Sequence, residues 1–197
     1  RKLDKISFEE MLELASLGAK VLQTRSVELA MRYRIKLRVL SSFEEPRDDA
    51  GTLVCDEEEI MESNVVSGIA YSRDEAKMTL GSVADRPGTA AAIFGRLSEA
   101  GINVDMIIQN ISEDGQTDMT FSCPTDQVVR AENALNAAKS GRQIDFKYLL
   151  ADTNVAKISA VGIGMRSQPG VAAKMFKILF EEGINIKVIA TSEIKIS

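Results

Sequence analysis

The sequence predicts an α+β fold in which one βαββαβ unit occurs twice, and two observations support this prediction. The first is an internal repeat, because residues 76–112 and 156–197 resemble each other along their length. Both copies contain a Pro-Gly dipeptide and a later Gly-Ile-Asn triplet at equal spacing: Pro87-Gly88 with Gly101-Ile102-Asn103, and Pro169-Gly170 with Gly183-Ile184-Asn185. The second observation is that strand-like and helix-like patterns follow each other in the same order in both copies.

The elements of the first copy follow from its residue pattern. Lys77–Val83 alternates as a strand does, and Asp85-Arg86-Pro87-Gly88 is turn chemistry that suits the start of a helix. A helix over 88–100 would place four apolar side chains on one face: Ala90, Ile93, Phe94 and Leu97. The remaining elements are strands over 104–111, 117–122 and 143–150, a hairpin turn at 113–115, and a helix over 126–139 with an apolar face of Val128, Val129, Ala131, Leu135 and Ala138. This order is that of a ferredoxin-like unit.

The second copy repeats the strand, turn and helix as far as Ser197, without a second helix and fourth strand. Its helix carries Ala172, Met175, Phe176 and Leu179 on one face. Either the chain is cut there or another segment completes the sheet, and the spare strand in 64–72 is a candidate for that segment.

The first sixty residues are too short for an independent domain and are interpreted as the tail of a preceding one, which agrees with a chain that begins with Arg1. Ser7 and Glu10 fit a capping box for a helix ended by Gly18, and Thr24 is expected to cap a second helix. Further expected features are strands at 35–40 and 51–55 around a loop at 46–51. The predicted domains are 1–60, the strand 64–72, 73–151 and an incomplete 152–197.

Composition excludes several classes of function. The net charge of −5 and the low aromatic content of 5% disfavour a nucleic-acid-binding protein. The absence of histidine excludes Ser-His-Asp and Cys-His centres and disfavours a zinc site, so no catalytic or metal site is predicted. No apolar run approaches the ~20 residues of a membrane helix. Cys55 and Cys123 are interpreted as reduced thiols of a cytoplasmic protein.

The junction of strand, turn and helix is the candidate ligand site. A helix N-terminus offers unpaired N–H groups to a carboxylate, and Gly88 permits close approach. Asp85 would neutralise an ammonium group, with Asn103 and Gln109 nearby, so the predicted ligand is a free α-amino acid. The second copy lacks an acidic residue at the position of Asp85 and presents Met165, Ser167, Gln168, Gly170 and Asn185. The alternative is that both are ordinary turns without a ligand.

Several stretches of the sequence resemble a known family. KISFEEMLELASLGAKVLQTRSVELAMRY, followed by IKLRVLSSF, resembles the closing part of the catalytic domain of aspartate kinases. SVADRPGTAAAIFGRLSEAGINVDMIIQNIS and GIGMRSQPGVAAKMFKILFEEGINIKVIATSEIKIS resemble that family's tandem ACT domains. The resemblance covers nearly the whole chain. It implies the C-terminal regulatory region of an enzyme that transfers the γ-phosphoryl group of ATP to aspartate with Mg²⁺, the first step towards lysine, threonine and methionine.

The resemblance also implies what the chain binds. The family's nucleotide and aspartate motifs are absent, so ATP and Mg²⁺ would bind the missing kinase domain, no cofactor is expected in this chain, and it would be inactive alone. Threonine would bind Asp85, Gly88, Ala90, Gln109, Asn185 and Ile186, and lysine would bind near Ser112 and Thr191-Ser192-Glu193. The full predicted effector set is Asp85, Arg86, Pro87, Gly88, Thr89, Ala90, Asn103, Gln109, Asn110, Ser112, Met165, Ser167, Gln168, Gly170, Asn185, Ile186, Thr191, Ser192 and Glu193.

The expected partners are a second copy of the chain, paired through ACT domains, and a catalytic kinase domain or subunit. Met61-Glu62 is where an internal start of a separate regulatory subunit would fall. Two alternatives remain from the sequence: an ACT sensor of another biosynthetic enzyme, and a module whose only role is dimerisation. The first sixty residues argue against the former because they resemble the end of a kinase domain.

Overall fold

A computed structural model describes residues 2–43, 51–60, 64–111 and 115–197, and the chain divides into two units. The central unit comprises Arg73–Lys157, and the flanking unit combines Arg1–Ser72 with Ile158–Ser197. Strand β4 (Gly68–Ala84) and strand β7 (Tyr148–Val161) each contribute residues to both units. The domain limits expected at 73–151 and 152–197 stay a prediction.

The central unit has the predicted βαββαβ order. Its elements are the end of β4, α3 (Thr89–Glu99), β5 (Ile107–Ile111), β6 (Gln116–Cys123), α4 (Val128–Ser140) and the start of β7. The strands lie in the order β5-β6-β4-β7, and β6 runs antiparallel to both β4 and β5. The α+β fold class expected from the sequence is therefore confirmed.

The core of the central unit lies between this sheet and its two helices. Met78 and Leu80 of β4 alternate with polar neighbours and pack with Ile93 and Leu97 of α3, all four fully buried. Phe94 is half-buried and meets Phe121 edge to face, with 5.8 Å between ring centroids. Two assignments to apolar faces were wrong: Ala90 is exposed, and Val129 is 68% exposed because it lies on the solvent side of α4.

Strand β4 contains a bulge close to its end. Its pairing with β6 shifts between Leu80 and Val83, and Ser82 adopts a left-handed backbone with φ of 53°. The Asp118 carboxylate accepts hydrogen bonds from the Ser82 N–H at 2.9 Å and from the Tyr148 hydroxyl at 3.1 Å. The bulge is therefore held by the two strands that flank β4, two residues before the strand ends.

The predicted fourth strand at 143–150 was wrong in its limits. Gln143 N–H closes the end of α4 on Ala138 O, and Ile144 and Phe146 are buried in the core without a strand ladder. The ladder begins only at Tyr148 and continues through Val161, so one strand replaces two short ones. Burial of alternate apolar side chains produced a strand-like pattern before the strand begins.

The flanking unit begins with a three-stranded sheet and two helices. Strands β1 (Lys5–Ser7), β3 (Thr52–Cys55) and β2 (Leu37–Val39) lie in the order β1-β3-β2, with β1 parallel and β2 antiparallel to β3. Helices α1 (Phe8–Ser16) and α2 (Thr24–Tyr33) share one apolar core with this sheet. Its buried members include Ile6, Phe8, Met11, Leu14, Val27, Ala30, Val54 and Val161.

The helix starts in this unit test two predictions. The Ser7–Glu10 capping box is confirmed, because each side chain accepts the other residue's backbone N–H at 3.1 Å. The cap at Thr24 was wrong: Thr24 is the first helical residue, and the N-cap is Gln23, which makes no side-chain cap bond. Most of the predicted loop at 46–51, the hairpin residues Glu113 and Asp114, and Met61-Glu62 lie outside the described residues.

The second copy completes the flanking unit. A 3₁₀ turn at Ile163–Arg166 leads to α5 (Val171–Glu181), and β8 (Lys195–Ile196) pairs antiparallel with the end of β7. Ala190 and Ser197 exchange two backbone hydrogen bonds at 2.9 and 2.8 Å, so the chain turns back as a short hairpin. No residue of α5 is buried, and its predicted apolar face is only half-buried. In the described part of the chain, no helix has the length and apolar character to cross a membrane.

Candidate functional site

The turn after β4 leads directly into helix α3. Gly88 is the N-cap of α3 with φ of 94°, a left-handed conformation that glycine adopts without steric cost. The Thr89 hydroxyl donates to Ala84 O at 2.9 Å, and the Thr89 N–H donates to Arg86 O at 3.2 Å. Asp85, Arg86 and Pro87 are therefore presented on a closed, exposed turn.

The start of α3 is open to a ligand. Among the described residues no side chain caps this helix, and a Cβ placed on Gly88 would meet nothing within 4 Å. Backbone N–H groups of a first helical turn lack partners within the helix, and they carry the positive end of the helix dipole. The first turn therefore offers donors and a positive partial charge to a carboxylate.

Two residues that the sequence analysis assigned to one site do lie together. The Gln109 side-chain amide donates to the Asp85 carboxylate at 3.1 Å, and both side chains are exposed. The Asp85 N–H donates to Gly115 O at 3.0 Å, which ties the turn to the β5–β6 hairpin. Asp85 keeps a second carboxylate oxygen for a cationic ligand group next to the open helix start.

The second copy forms a turn of the same kind. Gly170 is the N-cap of α5 with φ of 96°, and no described side chain caps this helix either. Ser167, Gln168 and Pro169 are exposed, and the Ser167 hydroxyl donates back to Gly164 O at 3.3 Å. The two helices thus start on glycines of the same conformation, with a serine two residues before the proline where the first turn carries Asp85.

Two family models match the chain, and both describe ACT domains. One covers residues 78–140 and the other covers residues 158–197. The chain is 52% identical over 198 residues to the aspartate kinase of Pseudomonas putida KT2440, covering all of this chain and 47% of that protein. It is 38% identical to the crystal structure of the regulatory subunit of aspartate kinase from Thermus thermophilus in its ligand-free form, with a TM-score of 0.62, covering 68% of this chain and 86% of that one.

The chain belongs to the aspartate kinase family. It contains the ACT domains of that family's regulatory region, and it spans about half the length of the curated relatives that it matches. A further solved structure, E. coli aspartokinase III in complex with lysine and aspartate (T-state), is 26% identical with a TM-score of 0.72, covering the whole of this chain and 42% of that one.

Other effector residues expected in this aspartate kinase region have hydrogen-bond partners other than Asp85, or are exposed. The Asn103 N–H donates to the Gln127 side-chain oxygen at 2.8 Å, and Asn110 O accepts from the Thr117 hydroxyl. Asn103, Asn110 and Ala90 are exposed, and Met165 is half-buried in the 3₁₀ turn before Ser167. Ser112 lies outside the described residues.

The predicted residues beyond α5 belong to the flanking unit of this aspartate kinase region. Asn185 is exposed and Ile186 is half-buried, after the helix has ended. Thr191 bridges Ile196 in the terminal hairpin, and the Ser192 N–H donates to Lys195 O at 2.8 Å. Glu193 lies 3.4 Å from the guanidinium of Arg166, at the second turn.

Sequence reasoning missed two charged clusters, one at Arg166 next to the second turn and one at Lys157 in the central unit. Arg166 also forms an ion pair with Glu57 at 2.9 Å, and Lys157 lies between Glu75 at 2.8 Å and Asp105 at 2.5 Å. Burial lowers the pKa of Lys157, but the hydrogen bonds to Asp105 and Glu75 outweigh it and leave that pKa raised. Such partners lie far apart in sequence, and no local pattern marks them.

Proposed function

We propose that this regulatory region binds free α-amino acids at its two strand-turn-helix turns and thereby controls the aspartate kinase to which it belongs. The observation that carries the proposal is the Gln109–Asp85 hydrogen bond beside the uncapped start of α3. The ligand's carboxylate would accept from the N–H groups of the first turn of α3, and its ammonium group would pair with Asp85. Gln109 orients the Asp85 carboxylate.

Threonine is proposed for the first turn and lysine for a different site. Aspartokinase III of E. coli, a related enzyme, was solved in complex with lysine and aspartate, which supports an amino-acid effector. The threonine site would use Asp85, Gly88, Ala90 and Gln109 together with Asn185 and Ile186. The lysine site would use Ser112 and Thr191-Ser192-Glu193. A second turn without an acidic residue fits a site of different preference.

Regulation would follow from a difference in affinity between two arrangements of the enzyme. An effector shifts such an equilibrium only by its differential affinity, about 1–3 kcal/mol for a typical effector. Two effectors that favour the same arrangement would inhibit more completely than either alone. Each arrangement would involve a second copy of the chain and the catalytic domain or subunit. We place the enzyme in the cytoplasm, where buried free thiols such as Cys55 and Cys123 stay reduced.

The reaction itself, transfer of a phosphoryl group from ATP to aspartate, is proposed for the catalytic part of the enzyme. ATP and Mg²⁺ are proposed to bind that catalytic part, because the nucleotide and aspartate motifs of the family are absent from this sequence.

The test is isothermal titration of the chain with L-threonine and then with L-lysine. We expect Asp85→Asn to weaken threonine binding roughly 10- to 100-fold, since a hydrogen bond to a charged group contributes about 1.5–3 kcal/mol. Gln109→Ala should weaken it less, because the ammonium contact remains. Asp126→Asn is the matched control: it makes the same charge change at an exposed site beside the start of α4.

Unchanged threonine affinity in Asp85→Asn would refute the placement of the site. A folded chain that binds neither amino acid would refute the sensing role. It would favour the second candidate function, pairing of copies without a ligand. The half-buried face of α5 and the 81% exposed Phe180 favour that candidate. Sedimentation at several concentrations, with and without amino acids, separates the two functions.

A further inference from the structure

Glu10 is a buried acid in helix α1, far along the chain from either predicted turn. Only 2% of the residue is exposed. One carboxylate oxygen, Oε2, accepts the Ser7 N–H at 3.1 Å and so forms half of the capping box that starts α1. A capping role needs only this one oxygen.

The other oxygen of Glu10 contacts two distant segments. Its Oε1 accepts from the Ser67 hydroxyl at 2.6 Å and from the Ile163 N–H at 2.9 Å. Ile163 is the first residue of the 3₁₀ turn that leads to Ser167 and the start of α5. A single carboxylate therefore joins the start of α1 to the start of the second turn.

The backbone around Ile163 fits closely against the segment that carries Ser67. A Cβ on Gly162 would lie 2.3 Å from Val65 O, and one on Gly164 would lie 2.7 Å from Asn64 O. The Ser67 N–H also donates to Val161 O at 2.8 Å. The second turn is thus held by residues that precede the first copy, and its own helix α5 contributes no buried side chain.

We propose that Glu10 is a positioning residue for the second turn, and that through it amino-acid binding at that turn is coupled to helix α1. The part that concerns amino acids rests on the proposed function. The same carboxylate serves the cap of α1 and the Ile163 N–H, so a change in the turn alters the hydrogen bonds available to the cap. Coupling of this kind is reciprocal: α1 affects the ligand as much as the ligand affects α1.

The first test is hydrogen exchange with mass spectrometry on the full-length enzyme, read on peptides that contain Ile163. Glu10→Ala removes all three acceptor contacts and should speed exchange at Ile163 about tenfold or more. Glu10→Gln keeps one acceptor oxygen, which can still serve Ser67 and Ile163 but not also Ser7. It should therefore leave exchange at Ile163 close to that of the wild type.

Ser7→Ala is the matched control. It removes the Ser7 hydroxyl from the Glu10 N–H and weakens the same capping box, but leaves the Glu10 contacts to Ser67 and Ile163 in place. Exchange should rise in peptides from the start of α1 and not at Ile163. If Ser7→Ala exposes Ile163 as much as Glu10→Ala does, Glu10 acts only through the stability of α1, and the proposal is overturned.

The second test is titration of the same variants with L-lysine and L-threonine. An effector that uses the second turn should bind Glu10→Ala about tenfold more weakly, with affinity restored in Glu10→Gln and unchanged in Ser7→Ala. An amino acid that slows exchange at Ile163 is one that uses the second turn. If such an amino acid binds all variants with the same affinity, the coupling is overturned. If neither amino acid binds the wild type, the proposed function fails, while the exchange result still decides the positioning role.

Discussion

Gly81 is buried beneath the ring of Tyr148, and replacing it with alanine should displace that ring. A Cβ at Gly81 would lie 1.9 Å from Cζ of Tyr148 and 2.2 and 2.3 Å from its two Cε atoms. Carbon atoms pack at about 3.5–4.0 Å, so the ring must move by roughly 1.5–2 Å. Tyr148 is 39% exposed and can swing outwards, but it then loses its hydrogen bond to Asp118.

The expected cost follows from opposing effects. Overpacking costs about 1–3 kcal/mol, and alanine stabilises by about 0.4–1 kcal/mol through the unfolded chain, because Gly81 has no positive φ. The net destabilisation is therefore about 1–2 kcal/mol, measured as a fall in the urea midpoint. Gly95→Ala is the control: Gly95 lies within α3 with nothing near its Cβ position, so it should stabilise by up to about 1 kcal/mol.

A double-mutant cycle isolates the ring. In a Tyr148→Ala background the clash is absent, and Gly81→Ala should become neutral or stabilising, with a coupling energy of about 1–3 kcal/mol. The hydrogen bond to Asp118 raises the pKa of Tyr148, so Gly81→Ala should also let this tyrosine ionise at lower pH in an absorbance titration. Equal destabilisation with and without the ring would refute the reasoning and assign the cost to the bulged backbone.

Three further changes have defined outcomes. Burial raises the pKa of the Cys123 thiol from 9.0 to about 11. The unfolding free energy should therefore fall as the pH rises from 9 to 11, because the thiol of the unfolded chain ionises first. Cys123→Ala should remove up to about 2 kcal/mol of that fall, measured by urea titrations across this pH range. Lys157→Met leaves Glu75 and Asp105 without their cation and should lower the free energy of unfolding by about 2–3 kcal/mol. Asp105→Asn, at the half-exposed partner of Lys157, should lower it by only about 1 kcal/mol. Equal losses in the two variants would contradict the prediction. Gln23→Asp supplies the missing cap of α2 and should raise the thermal midpoint through a gain of about 0.5–1 kcal/mol.

The regular elements were predictable because their signals are local. Helix α3 was recognisable from Ile93 and Leu97 at helical spacing between a Pro-Gly start and Gly101, and the structure buries both side chains. The bulge at Gly81 and Ser82 has no such signal, because it depends on Asp118 and Tyr148 from neighbouring strands. The error at Thr24 has a related cause: threonine suits an N-cap and a first helical position alike, and packing decides between them.

The contacts around the candidate site also include one that could be predicted from the sequence and one that could not. Asp85 and Gln109 could be assigned to one site because the strand, turn and helix order of a repeat brings the ends of its elements together, and their hydrogen bond at 3.1 Å agrees. The contact of Glu10 with Ile163 joins residues 153 positions apart, and Glu10 already had a sufficient local explanation as a capping residue. The sequence pattern therefore predicts the local capping role of Glu10 but not its contact with the distant Ile163.

The two N-cap glycines have a consequence for how the copies diverged. Gly88 and Gly170 have φ angles of 94° and 96°, and both have free space where a side chain would be. The two helices therefore begin alike, and ligand preference depends on the side chains around each helix start, which can change one at a time. Ser167→Asp would place a carboxylate two residues before the proline of the second copy, at the sequence position that Asp85 has in the first.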